Sequence, residues 1–144
     1  MSTTTLDNYI DFVRARPYMD GVERDNNRIK KTAEWFTPTK LVIDLINKIE
    51  LNYPNFFNDI DKTVIDKSCG DGQFLSEIVI RKIKRSNCTL EDALRTVYGV
   101  DLMLDNVIEC RKRLAGPNPT TEILDILETN IVCHDALTYD YSFK

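Results

Sequence analysis

The sequence is poor in the residues that metal and disulfide sites need. Its 144 residues hold a single histidine, His134, and four cysteines, Cys69, Cys88, Cys110 and Cys133. No two of the cysteines form a CxxC pair, so a zinc site would have to gather ligands from distant positions. No apolar run approaches the ~20 residues of a membrane span. The start, MSTTTLDNYIDFVRARP, lacks the basic residues and apolar stretch of a secretory leader. The thiols are therefore read as reduced and cytosolic, with Cys88 and Cys110 as small buried side chains. Positive charge is not in excess either: the formal net charge is -4. That argues against a bare electrostatic nucleic-acid binder, although DNA contacts on another part of a longer protein remain compatible with it.

What is present is ordinary for a globular chain, 42% apolar and 29% charged. The length allows one domain, and its core would hide roughly two thirds of the surface of the extended chain. Leu6, Tyr9, Ile10 and Val13 follow helical spacing, and Pro17 should end that helix. Residues 19–34 are polar and aperiodic and read as an exposed arm. Thr37-Pro38 forms a helix start, with Thr as N-cap and Pro in the first turn. Leu41, Val42, Leu45, Ile46 and Ile49 then share one face, and the helix should end near Leu51.

Thr63–Asp66 reads as a short buried strand, followed at once by Cys69-Gly70-Asp71-Gly72. A second amphipathic helix places Phe74, Leu75, Ile78, Val79 and Ile83 inward, and Arg81, Lys82, Lys84 and Arg85 outward. That basic end suits the helix dipole better than a DNA-phosphate patch. Thr89-Leu90-Glu91-Asp92 resembles a loose capping box. Residues 96–101 form the second strand, and Leu104, Val107, Ile108 and Leu114 mark a helix that Gly116-Pro117-Asn118-Pro119 stops. A short helix over 121–128 leads to a third strand at Ile131–His134. Strands alternating with helices imply a parallel sheet with right-handed crossovers, and ligands of such sheets bind beyond the carboxyl ends of the strands. Asp66 to Gly72, Asp101 and Asp135 all fall there.

The glycine turn lets backbone approach a ligand, and the helix start behind it offers free N–H groups. It is not the GxGxxG of dinucleotide enzymes, since Leu75 stands where the third glycine belongs, nor is there a Walker lysine pattern. Asp71 in the turn should repel a pyrophosphate, so a ligand with a cationic or zwitterionic end fits better. Asp66 is placed to pair with an amino group, or merely to cap the strand end. Asp101 can accept from both hydroxyls of a ribose, with an adenine near Leu102 and Met103. Asp135 can accept from that ring's exocyclic amine or simply cap a turn. An amino-acid end, a ribose and an adenine together describe S-adenosyl-L-methionine.

The same residues resemble a family. Glu34-Trp35-Phe36-Thr37-Pro38 is similar to the F-x-T-P or F-T-P motif of N6-adenine-specific DNA methyltransferases of restriction-modification type. Asp66-Lys67-Ser68-Cys69-Gly70-Asp71-Gly72-Gln73-Phe74-Leu75 resembles their D-P-A-C-G-T-G-x-F-L, with Lys67 in place of the proline. Tyr98-Gly99-Val100-Asp101 resembles their G-x-D/E strand, and His134-Asp135-Ala136-Leu137 their G-D-A-L stretch. The resemblance spans residues 33–140. It implies an α/β, Rossmann-like methyltransferase fold with an incomplete parallel sheet of about three strands, flanking helices and an N-terminal helical segment. Residues 1–34 would be that segment and its arm, and residues 35–144 the cofactor-binding domain.

The resemblance also implies site roles. Thr37 and Asp66 would lie near the methionine end of S-adenosyl-L-methionine, with Gly70 and Gly72 shaping the turn around it. Asp101 and Leu102 would meet the ribose and ring, and Asp135 and Ala136 the adenine. Cys69 would be a packing residue rather than a nucleophile; by residue type alone, Trp35 and Phe36 read as packing residues rather than a cofactor wall. The family's N-P-P-Y/F motif, which polarises the target amine and stacks on the flipped base, is absent from residues 1–144. The expectation is therefore a cofactor-binding portion that does not methylate adenine by itself. It would reach DNA only through a further segment or a partner chain. The alternative is a non-catalytic binding or interaction module completed by a partner. An exposed sheet edge beside the first strand would favour a homo-oligomer. No membrane contact, no metal and a cytoplasmic location in a bacterium or phage complete the expectation.

Overall fold

In a computed structural model, the described residues are 1–15 and 38–143. Six helices and three strands lie among them: α1 (Thr3–Ala15), α2 (Thr39–Asn52), β1 (Val64–Asp66), α3 (Gln73–Ser86), α4 (Leu90–Arg95), β2 (Val97–Asp101), α5 (Leu104–Ala115), α6 (Thr121–Asn130) and β3 (Ile131–Cys133). The strands form one parallel sheet in the order β1-β2-β3. Both connections run the same way across that sheet, so the right-handed rule puts their helices on one face. The expected α/β architecture with a three-stranded parallel sheet and flanking helices is therefore observed.

Local chemistry accounts for the element ends. Thr89 and Thr120 each cap a helix by accepting a backbone N–H three residues on, from Asp92 and Ile123, at 3.1 Å. Asn87 ends α3 in a left-handed conformation. Pro38 is the N-cap of α2, without a side-chain hydrogen bond, and the helix begins at Thr39 rather than at Pro38. Thr37, like Trp35, Phe36 and the whole polar arm, lies outside the described residues.

The core lies between the helices and the helix-covered face of the sheet. Leu75, Ile78, Val79 and Ile83 of α3 meet Val97 of β2, Val107 and Leu114 of α5, and Ile131 of β3. Helix α1 shares this core through Tyr9 and Val13. Polar bonds fix it there: the Tyr9 hydroxyl donates to the Leu114 carbonyl at 2.9 Å, and Arg14 pairs with Glu77 at 2.7 Å. Burial drives the Tyr9 phenol far above its ordinary range, so it keeps the proton that it donates.

One expectation about helix faces is corrected. Lys82 does not point outward; it is 2% exposed and its ammonium donates to the Lys62 carbonyl at 2.5 Å. Its position one turn on from Ile78 and Val79 puts it on the inward stripe, and burial lowers its pKa. Ile108 and Leu104 are exposed, whereas Asn106, Val107, Cys110, Arg113 and Leu114 form the buried face of α5. No helix among the described residues is long and apolar enough to cross a membrane.

Candidate functional site

The carboxyl edge of the sheet gathers the acids. Asp66 is paired in register with Gly99, and Asp101 lies two residues beyond it on β2. Side chains alternate along a strand, so both carboxylates project toward the face on which Gly99 meets Cys69 and Leu75. A strand spacing of ~4.8 Å and a rise of ~3.3 Å per residue put the two Cα atoms roughly 8 Å apart. Burial first, and also the charge of Asp101, push the Asp66 carboxyl above its usual range, against the lowering effect of the Ser68 N–H.

Asp101 organises the turn above it. Its Oδ2 accepts the Gly70 N–H at 3.0 Å. Its Oδ1 accepts the Met103 N–H at 2.9 Å and the Asn106 side-chain amide at 3.1 Å. A carboxylate offers about four acceptor positions, and the described residues use three, which leaves one on Oδ2 among them. Sequence reasoning does not single out Asn106. The available signal is a lone amide on the inward stripe of α5, five residues after the acid.

The glycine turn is shaped from within. Gly70 and Gly72 hold φ of 55 and 90. A Cβ on Gly72 would stand 2.9 Å from the Cys110 Sγ and 3.2 Å from the Cys110 Cα. The second glycine thus lets the start of α3 lie against α5. Asp71 points into the protein, where it is 3% exposed. Arg113 donates to the Asp71 carbonyl at 3.0 Å, to the Val13 carbonyl at 2.8 Å, and to the Asp71 carboxylate at 3.4 Å. The supposed repulsion of a pyrophosphate by Asp71 therefore fails: its charge faces Arg113, not the turn's outer surface. Burial still outweighs the arginine and holds the Asp71 carboxyl above its ordinary range.

Cys69 is buried beneath Gly99. Contact with the Cys110 thiol, burial and nearby acids raise its pKa, which suits packing rather than nucleophilic chemistry. Beside the turn lies a cleft of about 350 Å³ lined by Val42 and Leu45 from α2, by Ile65 and Phe74, and by Asp66, Lys67 and Ser68. Leu45 and Ile65 remain exposed there. A second apolar pocket, of about 310 Å³, lies between Phe12, Ala115, Pro117 and Leu124 and contains none of these carboxylates.

At the third strand, the His134 N–H donates to the Asp101 carbonyl at 3.0 Å and ties the ends of β2 and β3 together. Asp135 is exposed and its Oδ1 accepts the Leu137 N–H at 2.9 Å, so it caps a turn. Leu102 is exposed, and its carbonyl accepts the Cys133 thiol at 3.4 Å. Ala136 accepts the Tyr141 hydroxyl through its carbonyl. The structure thus brings Asp66, Gly70, Gly72, Asp101, Leu102, Asp135 and Ala136 to one edge of the sheet, and Thr37 lies outside the described residues.

Two of the basic residues of α3, Arg81 and Arg85, pair with Glu50 of α2, at 3.0 and 2.7 Å. Among the described residues, no group of three or more His, Cys, Asp or Glu side chains is arranged to hold a metal ion. The class that the geometry defines is a parallel α/β domain with an acidic, glycine-turned carboxyl edge. No protein-family model matches the chain, and no curated protein or solved structure matches it.

Proposed function

We propose that the carboxyl edge binds S-adenosyl-L-methionine, and that the chain is the cofactor-binding portion of an adenine-specific DNA methyltransferase with a Rossmann-like fold. The observation that carries this is the placement of Asp66 and Asp101 side by side, at a glycine turn and next to an apolar cleft. Paired, desolvated carboxylates favour a cationic ligand, and the apolar walls suit the thioether-like arm of such a ligand. Asp101 keeps an acceptor position for a ribose hydroxyl, and Asp66 is the partner for an ammonium group. Among the described residues, Oδ2 of Asp135 accepts no hydrogen bond and is the acceptor for an adenine amine. Gly70 and Leu102 would border the nucleoside, with Ala136 beside the ring. The cofactor, when bound, supplies an electrophilic methyl group, and this chain's residues bind and orient it.

Transfer to adenine in DNA requires groups that polarise the amine and stack on the flipped base, and the motif that supplies them in the family is absent from these residues. Binding without methyl transfer is therefore the expected activity of residues 1–144, with DNA reached through a further segment or a partner. A second reading, an interaction module completed by a partner or a second copy, is favoured by the outer edge of β1. That edge has no strand partner among the described residues and lies by the exposed Ile65 and Leu45.

Calorimetric titration with S-adenosyl-L-methionine and S-adenosylhomocysteine tests the first reading. Saturable binding that Asp101→Ala abolishes is the expected result. Absence of binding at millimolar ligand would sink it. Sedimentation of the same samples tests the second reading, which predicts a dimer.

A further inference from the structure

The second face of the sheet carries no helix among the described residues. Over it lies the chain's own segment after β3. Tyr98, in the middle of β2, alternates with Gly99 and so points to this face. Its ring lies 4.7 Å from that of Phe143. Tyr139 packs edge-on against Tyr141 at 5.1 Å and against Phe143 at 5.3 Å, and the Tyr139 hydroxyl accepts the Phe143 N–H at 3.0 Å. Residues 135–143 thus form an aromatic strap that starts at the end of β3 and crosses β2.

Besides the Tyr98–Phe143 contact, the strap is held by the His134–Tyr139 ring contact at 4.6 Å and by the Tyr141 hydroxyl on the Ala136 carbonyl, and two further holds involve Asp135 and Lys67 of the site. At one end, the carbonyl of Asp135 accepts the Thr138 and Tyr139 N–H groups at 3.1 and 2.9 Å. At the other end, the Lys67 ammonium sits 4.9 Å above the Tyr141 ring. Lys67 also lines the cleft, next to Asp66. From Tyr141 onward the backbone is strained: Tyr141 and Phe143 hold φ of 57 and 49, values that bulky L-residues adopt at a cost. Such conformations persist only where surrounding contacts hold them.

We propose that the strap is a cover that responds to the ligand. A cationic group seated beside Asp66 repels the Lys67 ammonium and weakens its hold on Tyr141. Residues 139–143 then relax and leave the second face of the sheet. The ligand shifts this equilibrium only through that differential contact, so an adenosyl ligand without a cationic arm leaves the strap closed. The inference rests on the adenosyl-cofactor reading of the site.

Hydrogen exchange of residues 139–143, read by mass spectrometry on the full chain, is the test. Saturating S-adenosyl-L-methionine should speed exchange there about twofold to fivefold, the factor that losing one exposed cation–π contact implies. Saturating adenosine should not. Lys67→Met should produce the faster exchange without ligand and abolish the ligand's effect, and Lys67→Arg should retain the slow exchange. Calorimetry on the same samples separates the two ideas. Binding with unchanged or slower strap exchange overturns the cover and leaves the site reading intact. Unchanged exchange in ligand-free Lys67→Met also overturns it. Absence of binding overturns the site reading, and the cover with it.

Discussion

Replacing Gly72 by alanine should destabilise the protein by about 3 kcal/mol. The first contribution is conformational: a residue with a Cβ at φ of +90 carries ~1–2 kcal/mol of left-handed strain. The second is steric. The added methyl would stand 2.9 Å from the Cys110 Sγ and 3.2 Å from the Cys110 Cα. A thiol can rotate, but the backbone of α5 cannot yield without shifting Val107 and Leu114, both fully buried. Overpacking of this kind costs ~1–3 kcal/mol. Urea denaturation of Gly72→Ala, Cys110→Ala and the double variant separates the contributions. The double variant should recover only part of the steric cost, since the clash with the α5 backbone and the strain both remain. A loss below ~1 kcal/mol for Gly72→Ala, scaled to the strain of the left-handed region, would refute the packing argument. If adenosyl binding vanished while stability held, the glycine would be there for the ligand rather than for the packing of α3 on α5.

Arg113→Ala should cost about 3 kcal/mol at neutral pH, because it leaves the buried Asp71 carboxylate without its counter-ion and takes a donor from two carbonyls. The cost should shrink in acid as Asp71, already held above its ordinary pKa by burial, takes up a proton; denaturation at two pH values reads this. The pKa of Asp66 is raised in the folded protein, so the native state holds its proton more tightly than the unfolded chain does. That stability is present below the unfolded carboxylate pKa and is lost as pH rises through the folded value. Asp66→Asn should therefore raise the melting temperature at pH 7, leave it unchanged at pH 3, and weaken S-adenosyl-L-methionine binding; a melt that is indifferent to pH would count against the buried carboxylate. Thr89→Ala and Thr120→Ala should each cost about 1 kcal/mol as lost helix caps, measurable by the same denaturation.

Much of the fold was legible because its signals are local. The 3.6-residue spacing of Leu75, Ile78, Val79 and Ile83 marks α3 whatever the rest of the chain does. The run Tyr98-Gly99-Val100-Asp101 reads as a strand because it is short, apolar and ends at an acid. The threonine cap before α4 needs only the next three residues. Where charge and periodicity conflicted, charge misled: Lys82 is a lysine by type but lies on the buried stripe, where the Lys62 carbonyl receives its ammonium. Asp71 misled similarly, since its sequence neighbours place it in a ligand turn while its partner Arg113 lies 42 residues away.

Residue order alone determined that acids follow three strands and that a glycine turn follows the first, because element type and sequence offset are local properties. Only the tertiary structure decided what those groups face. Register put Asp66 and Asp101 on one side of the sheet. The approach of α5 to α3 requires glycine at position 72. The fold turned Asp71 inward to Arg113, bonded Asn106 to Asp101, and laid Tyr139, Tyr141 and Phe143 over Tyr98. Each of these depends on residues far apart in the chain, which folding alone brings within hydrogen-bond or van der Waals range.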